Sequence, residues 1–115
     1  MSDHDDRLPM HQMLEHAREA VEMIRGRPRP ELRENRMLQL ALVHLVQVVG
    51  EAANRVSRAG QARHPEVPWG KAIGTGNRVV HGYDRIDYDV VWDTIAEDFP
   101  ALVAALEEAL SSESG

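Results

Sequence analysis

Met37-Leu38-Gln39-Leu40-Ala41-Leu42-Val43-His44-Leu45-Val46-Gln47-Val48-Val49-Gly50 is the most apolar stretch of the chain, and its periodicity decides the fold class. Met37, Leu38, Ala41, Leu45, Val48, Val49, Ala52 and Val56 recur at helical spacing. They predict one long helix from about Asn35 to Ala59, closed by Gly60. Leu40, Leu42 and Val43 widen the apolar stripe, so this helix is expected at the centre, touching more than one neighbour. Gln39, His44 and Gln47 interrupt the run, and Leu38 to Gly50 is too short to span a bilayer.

Working outward, Met10, Met13, Leu14, Ala17, Val21 and Ile24 mark one face of an amphipathic helix from about Arg7 to Arg25. Gly26 and Arg27-Pro28-Arg29-Pro30 end it, and a short helical turn is expected at Glu31 to Glu34. On the other side, Gln61 to Pro68 reads as the longest loop. A third helix from Trp69 to about His81 is poor by composition, because Gly70, Gly74 and Gly76 each cost about 1 kcal/mol relative to Ala in a helix interior. Asp87 is a good N-cap for a last helical region carrying Val91, Trp92, Ile95, Phe99, Leu102, Val103, Leu106 and Leu110. Pro100 inside it predicts a kink or two consecutive helices with Asp98 near the junction. The tail, 111–115, is expected to fray. No period-two pattern predicts a strand. The fold expected is all-α, an antiparallel bundle of four to five helices in a single domain spanning 1–115.

With 115 residues, two domains do not fit, and the thin core of one small domain favours self-association. There are no cysteines, so disulfide scaffolds, thiolate metal sites and cysteine nucleophiles are excluded together. The net charge of -6 argues against coating nucleic acid through bulk charge. Twelve of the thirteen basic residues are Arg, the side chain that grips planar oxyanions by forked hydrogen bonds. The polar, acidic start lacks the apolar stretch of a secretory signal, which together with the short apolar run predicts a soluble, cytoplasmic protein with no membrane contact.

Six histidines invite a metal reading, but His11 and His16 are five apart and fall on different faces, so neither metal nor cofactor is expected. His44 reads as a core or interface residue, and His4 and His64 as surface residues. Gly70-Lys71-Ala72 lacks the Ser or Thr and the preceding strand that a phosphate loop requires. Gly76-Asn77-Arg78-Val79-Val80-His81-Gly82-Tyr83-Asp84 is richer. If helix persists to His81, Asn77 lies one turn behind it and Arg78 is its neighbour at three residues. His exchanges protons near neutral pH, Asn orients it or donates to a phosphate, and Arg stabilises developing charge. RNA cleavage by its own 2′-hydroxyl needs such groups and no metal. Read alone, a polar helix end explains the same residues. Glu51 follows His44 by seven residues on the same face, as a supporter of this site or as an ion-pair partner for an Arg.

Gly50-Glu51-Ala52-Ala53-Asn54-Arg55-Val56-Ser57, then Pro68-Trp69, then Asn77-Arg78-Val79-Val80-His81-Gly82-Tyr83, then Ile86-Asp87-Tyr88-Asp89-Val90-Val91-Trp92 resemble, in order and spacing, the HEPN domains of HepT-like toxins. The resemblance covers nearly the whole chain. It implies an all-helical homodimer whose two active-site segments face each other, acting as a metal-independent endoribonuclease on RNA. It further implies a toxin of a type VII-like toxin–antitoxin pair, with a minimal nucleotidyltransferase as antitoxin. The family motif is Arg, four to six residues, His, and a Tyr two beyond. His81 matches the catalytic His, Asn77 the polar residue after the Arg, and Tyr83 the Tyr that accepts AMP from the partner.

The motif Arg is missing: the best alignment places it at Gly76, with Thr75 and Gly74 the other positions. Arg78 stands only three residues before His81. Three readings stay open: a disabled form of an active toxin, an inactive domain that binds a nucleotidyltransferase, or substitution by Arg78. If an RNA cleft forms, the arginines between Arg25 and Arg36, with Arg78, are its expected source of positive charge.

Overall fold

A computed structural model describes residues 5–81 and 85–114. The helices are α1 (Arg7–Ile24), α2 (Glu31–Glu34), α3 (Arg36–Arg55), α4 (Arg58–Arg63), α5 (Trp69–Val79), α6 (Tyr88–Asp93) and α7 (Phe99–Ser114). A π-helical segment, Thr94–Asp98, joins α6 to α7, and two short strands, β1 (Val80–His81) and β2 (Arg85–Ile86), lie between α5 and α6. The architecture is all-α apart from that strand pair. Helices lie in the spatial order α5, α3, α1, α7, with α3 against α1 and α5 and α1 against α3 and α7.

The apolar stripe of α3 explains its central place. Leu38, Leu42, Leu45, Val46, Val49, Ala52 and Ala53 are buried along it and meet Met10, Met13 and Ala17 of α1. Ile95, Phe99, Leu102 and Leu106 complete the core from the C-terminal region. Met37, read as part of the buried stripe, is 82% exposed, and Leu40 is 57% exposed. Both lie on the face of α3 that also carries exposed His44 and Gln47, turned away from buried Leu38, Leu42 and Leu45. By length and mean hydropathy the twenty residues of α3 are sufficient to cross a membrane, although its apolar run reads as too short. Its stripe is instead taken up by α1 and α5.

Chain breaks follow local chemistry. Gly26 adopts φ +75° just after α1, a conformation that suits glycine. Asn35 caps α3, accepting from the Leu38 N–H at 3.0 Å. The long second helix ends earlier than its periodicity suggests, because Val56 is extended and Ser57 caps a separate helix, α4, accepting from the Gly60 N–H at 3.0 Å. Gly60 is thus inside α4 rather than a terminator, and the expected loop from Gln61 is helical up to Arg63. Asp6 holds this corner. Its carboxylate accepts from the Ser57 N–H at 2.8 Å and the Ser57 hydroxyl at 2.6 Å, and a Cβ on Gly60 would stand 2.2 Å from Asp6 Oδ2.

His64, expected at the surface, is 5% exposed. Here the chain turns back under the bundle, and the indole of buried Trp69 donates to its carbonyl at 2.9 Å. α5 stops at Val79, short of His81, because Val80 and His81 pair antiparallel with Ile86 and Arg85. Asp87 caps α6 as expected, accepting from the Val90 N–H at 3.1 Å. The break before Pro100 is the π-helical segment, a wider turn next to a residue with no N–H to donate. Asp98 closes it. α7 runs on to Ser114, through most of the tail read as frayed.

Candidate active site

Gly50 sets the distance between α3 and α5. A Cβ there would stand 3.4 Å from the Ala72 carbonyl oxygen and 3.6 Å from both the Ile73 oxygen and the Gly76 nitrogen. The two backbones therefore approach closely, which holds α5 in place despite its three glycines. Beside this seam opens a groove of about 710 Å³, lined by Gln47, Gly50, Glu51, Asn54, Ile73, Gly76 and Asn77. Glu51 is thus brought together with Gly76 and Asn77, which lie far from it in sequence.

Glu51 and Asn77 are exposed, and neither side chain makes an ion pair or hydrogen bond with another described residue. The ion-pair explanation of Glu51 therefore finds no partner among them. At Gly76, an added Cβ meets nothing within 4 Å. Packing does not require glycine there, and the direction a longer side chain would take is open. Gln47 and Asn54 belong to the groove although the sequence reading passed over them. The signal was present: Gln47, Glu51 and Asn54 follow one another at helical steps on the face that also carries exposed His44. His44 is therefore a surface residue, not a core one.

Arg78 is placed differently. Its guanidinium donates to Thr75 Oγ1 at 3.3 Å and lies 3.6 Å from Asp98, which Lys71 approaches at 3.4 Å. Lys71, Arg78 and Asp98 line a second groove of about 590 Å³ on the opposite flank of α5, with Asp93, Thr94 and Glu97. Asn77 lines both grooves; Arg78 lines only the acidic one.

His81 is placed by its backbone on β1, opposite Arg85. Since α5 ends before it, the helical relation to Asn77 and Arg78 does not hold. The Val79 carbonyl accepts from the Asp87 N–H at 2.7 Å, so the α5 end and the α6 start are tied beside His81. Tyr83 and Asp84 lie outside the described residues.

The arginines from Arg25 to Arg33 do not form an open basic cleft, while Arg36 donates to Gln39 Oε1 at 3.3 Å. Arg25 pairs with Glu22 and Arg27 with Glu31, while Arg29 binds Asp93 and Arg33 binds Asp89. The hydrogen bond that Arg29 donates to Asp93, helped by the charges of Asp93 and Asp89, raises the Arg29 pKa above its ordinary value. Asp89 is thus an ion-pair partner and Asp87 a cap. Among the described residues no group of three or more His, Cys, Asp or Glu is placed to hold a metal ion.

Comparison with known proteins adds independent findings. A family model described as Ribonuclease HepT-like matches residues 13–109. A protein of Methanocaldococcus jannaschii, named as a candidate RNase, is 28% identical over 93% of this chain and 98% of its own length. One of Thermococcus cleftensis, named as a candidate ribonuclease HepT, is 29% identical over 83% of this chain and 90% of its own. A candidate RNase of Caldanaerobacter subterraneus is 26% identical over 81% of this chain and 83% of its own. No solved structure matches the chain with significance.

Proposed function

The chain belongs to the HepT-like ribonuclease family, and from that premise we propose that it is the scaffold of a metal-independent endoribonuclease toxin working in the cytoplasm. In this reading the 2′-hydroxyl of RNA attacks the adjacent phosphorus, the O2′–P bond forms and the P–O5′ bond breaks. His81 moves the proton from the attacking hydroxyl to the leaving 5′-oxygen, and Asn77 positions the phosphate. An Arg at the position of Gly76 would balance the charge that builds on the phosphoryl oxygens.

The observation that carries this reading is the α3-side groove. It collects Glu51, Asn54 and Asn77, with polar groups uncommitted to internal partners, around a Gly76 that nothing crowds. Homodimerisation belongs to the same proposal. Met37, Leu40, His44 and Gln47 form an exposed stripe on α3 that runs into Glu51 and Asn54, so pairing through it would cover two large apolar side chains and bring two grooves together.

Neutralisation by a minimal nucleotidyltransferase, which transfers AMP from ATP to the Tyr83 hydroxyl with release of pyrophosphate, completes the reading. Gly76 itself favours a second one, a non-enzymatic module that dimerises and binds that partner. The deciding experiment compares the chain as written with Gly76→Arg for RNA cleavage and growth arrest. Cleavage by the Gly76→Arg chain, lost again on His81→Ala, is expected. A Gly76→Arg protein that is folded, dimeric and inert would sink the toxin reading. Incubation with the neighbouring nucleotidyltransferase and ATP should add the mass of AMP at Tyr83, and no gain removes that claim.

A further inference from the structure

The groove beside Gly76 does not stop at Asn54. A second depression, of about 650 Å³, shares Asn54 and Ile73 with it and continues over α4, where Arg58 and Gln61 join its lining. No acidic residue lines this extension. α4 is held firmly: Asp6 fixes Ser57 from below, and the Gln61 amide donates to the Val56 carbonyl at 3.1 Å. Arg58 is exposed on this anchored turn, and among the described residues it makes no ion pair and no hydrogen bond. Most of the arginines, in contrast, are matched with carboxylates; Arg18 binds Glu107, for example, at the far edge of the bundle.

We propose that Arg58 binds a backbone phosphate of single-stranded RNA lying along this extended groove, to one side of the bond broken near Asn77. The proposal rests on the ribonuclease reading and adds a substrate subsite to it. A chain of net charge -6 repels a polyanion at long range, so retention of RNA must come from cations that no carboxylate has already neutralised. An unpaired guanidinium keeps its full fork of N–H donors for phosphate oxygens. The groove around it, lined by Asn54 and Gln61 rather than acids, offers a strand hydrogen-bonding groups without repulsion.

The test is binding of a short, labelled single-stranded RNA to the chain as written, followed by fluorescence anisotropy across a salt series. Arg58→Ala is expected to weaken binding roughly fivefold or more and to reduce the slope of log affinity against log salt by about 0.7, the value for one phosphate contact on a single strand. Arg58→Lys should restore the slope, and Arg18→Gln should leave both readings unchanged. Equal binding and slope for Arg58→Ala overturn the proposal, as does absence of RNA binding at low salt. A changed sedimentation coefficient for Arg58→Ala would make Arg58 an interface residue and overturn it too. Cleavage by the Gly76→Arg chain with Arg58-independent binding sinks only the subsite. Arg58-dependent binding without any cleavage by the Gly76→Arg chain sinks only the ribonuclease reading.

Discussion

The two grooves flanking α5 share Asn77 but differ in what their other polar groups already hold. On the α6 side, Lys71 and Arg78 both reach Asp98, and Asp93 binds Arg29, so the cations of this groove are already held by a carboxylate. On the α3 side, Glu51 and Asn77 have no such partners among the described residues, and Gly76 contributes only backbone. A groove whose cations are already held by carboxylates has little left with which to grip an anion. The α3 side keeps the amides of Asn54 and Asn77 free, and in the proposed reading it is the side on which an Arg at position 76 would act. Arg78, held by Asp98, belongs to the acidic flank.

Restoring the absent cation should have the largest effect on this contrast. Gly76→Arg is expected to raise single-turnover RNA cleavage by about 10²–10³-fold, the worth of one well-placed donor to a transition-state oxyanion, or about 2.7–4 kcal/mol. If instead cleavage by the Gly76→Arg chain is unchanged while Asp98→Asn activates the chain as written, the acidic groove is the working one. Closing the α3 side from within comes next. Gly50→Leu forces a branched side chain against the α5 backbone and should lower stability by about 3 kcal/mol in urea melts, with Gly50→Ala close to neutral. A fully stable Gly50→Leu protein would show that the helices part easily and that the groove is not a rigid site.

Gly60→Ala acts on the corner that supports α4. Its methyl group would displace the Asp6 carboxylate, and a loss of about 2 kcal/mol is expected from the disrupted hydrogen bonds to Ser57. In an Asp6→Ala background the same substitution should cost far less, and additive losses would refute the coupling. The smallest change is expected on the acidic side. Asp98→Asn breaks two partly exposed ion pairs and should cost under about 1 kcal/mol, with the remainder screened away at high salt. A larger, salt-independent loss would mean that Asp98 organises the π-helical turn rather than merely neutralising Lys71 and Arg78.

The sequence by itself determined the helical class, the central place of α3 and the caps at Asn35 and Asp87, because apolar periodicity and capping chemistry are local properties. It also singled out Glu51, Gly76 and Asn77, which the fold brings into one groove. What it did not reveal was pairing at a distance. Two of the arginines that read as a basic cleft, Arg29 and Arg33, turn out to be matched by carboxylates of Asp89 and Asp93, far along the chain. His64 is buried because Trp69 folds over its backbone, and helix at His81 gives way to a strand because Arg85 returns to pair with it. Gly50 likewise reads as an ordinary helix glycine until α5 is laid against it. Which charges remain free, and so where an anion can bind, is decided only when the helices meet, since a side chain's availability depends on partners that its own segment does not contain.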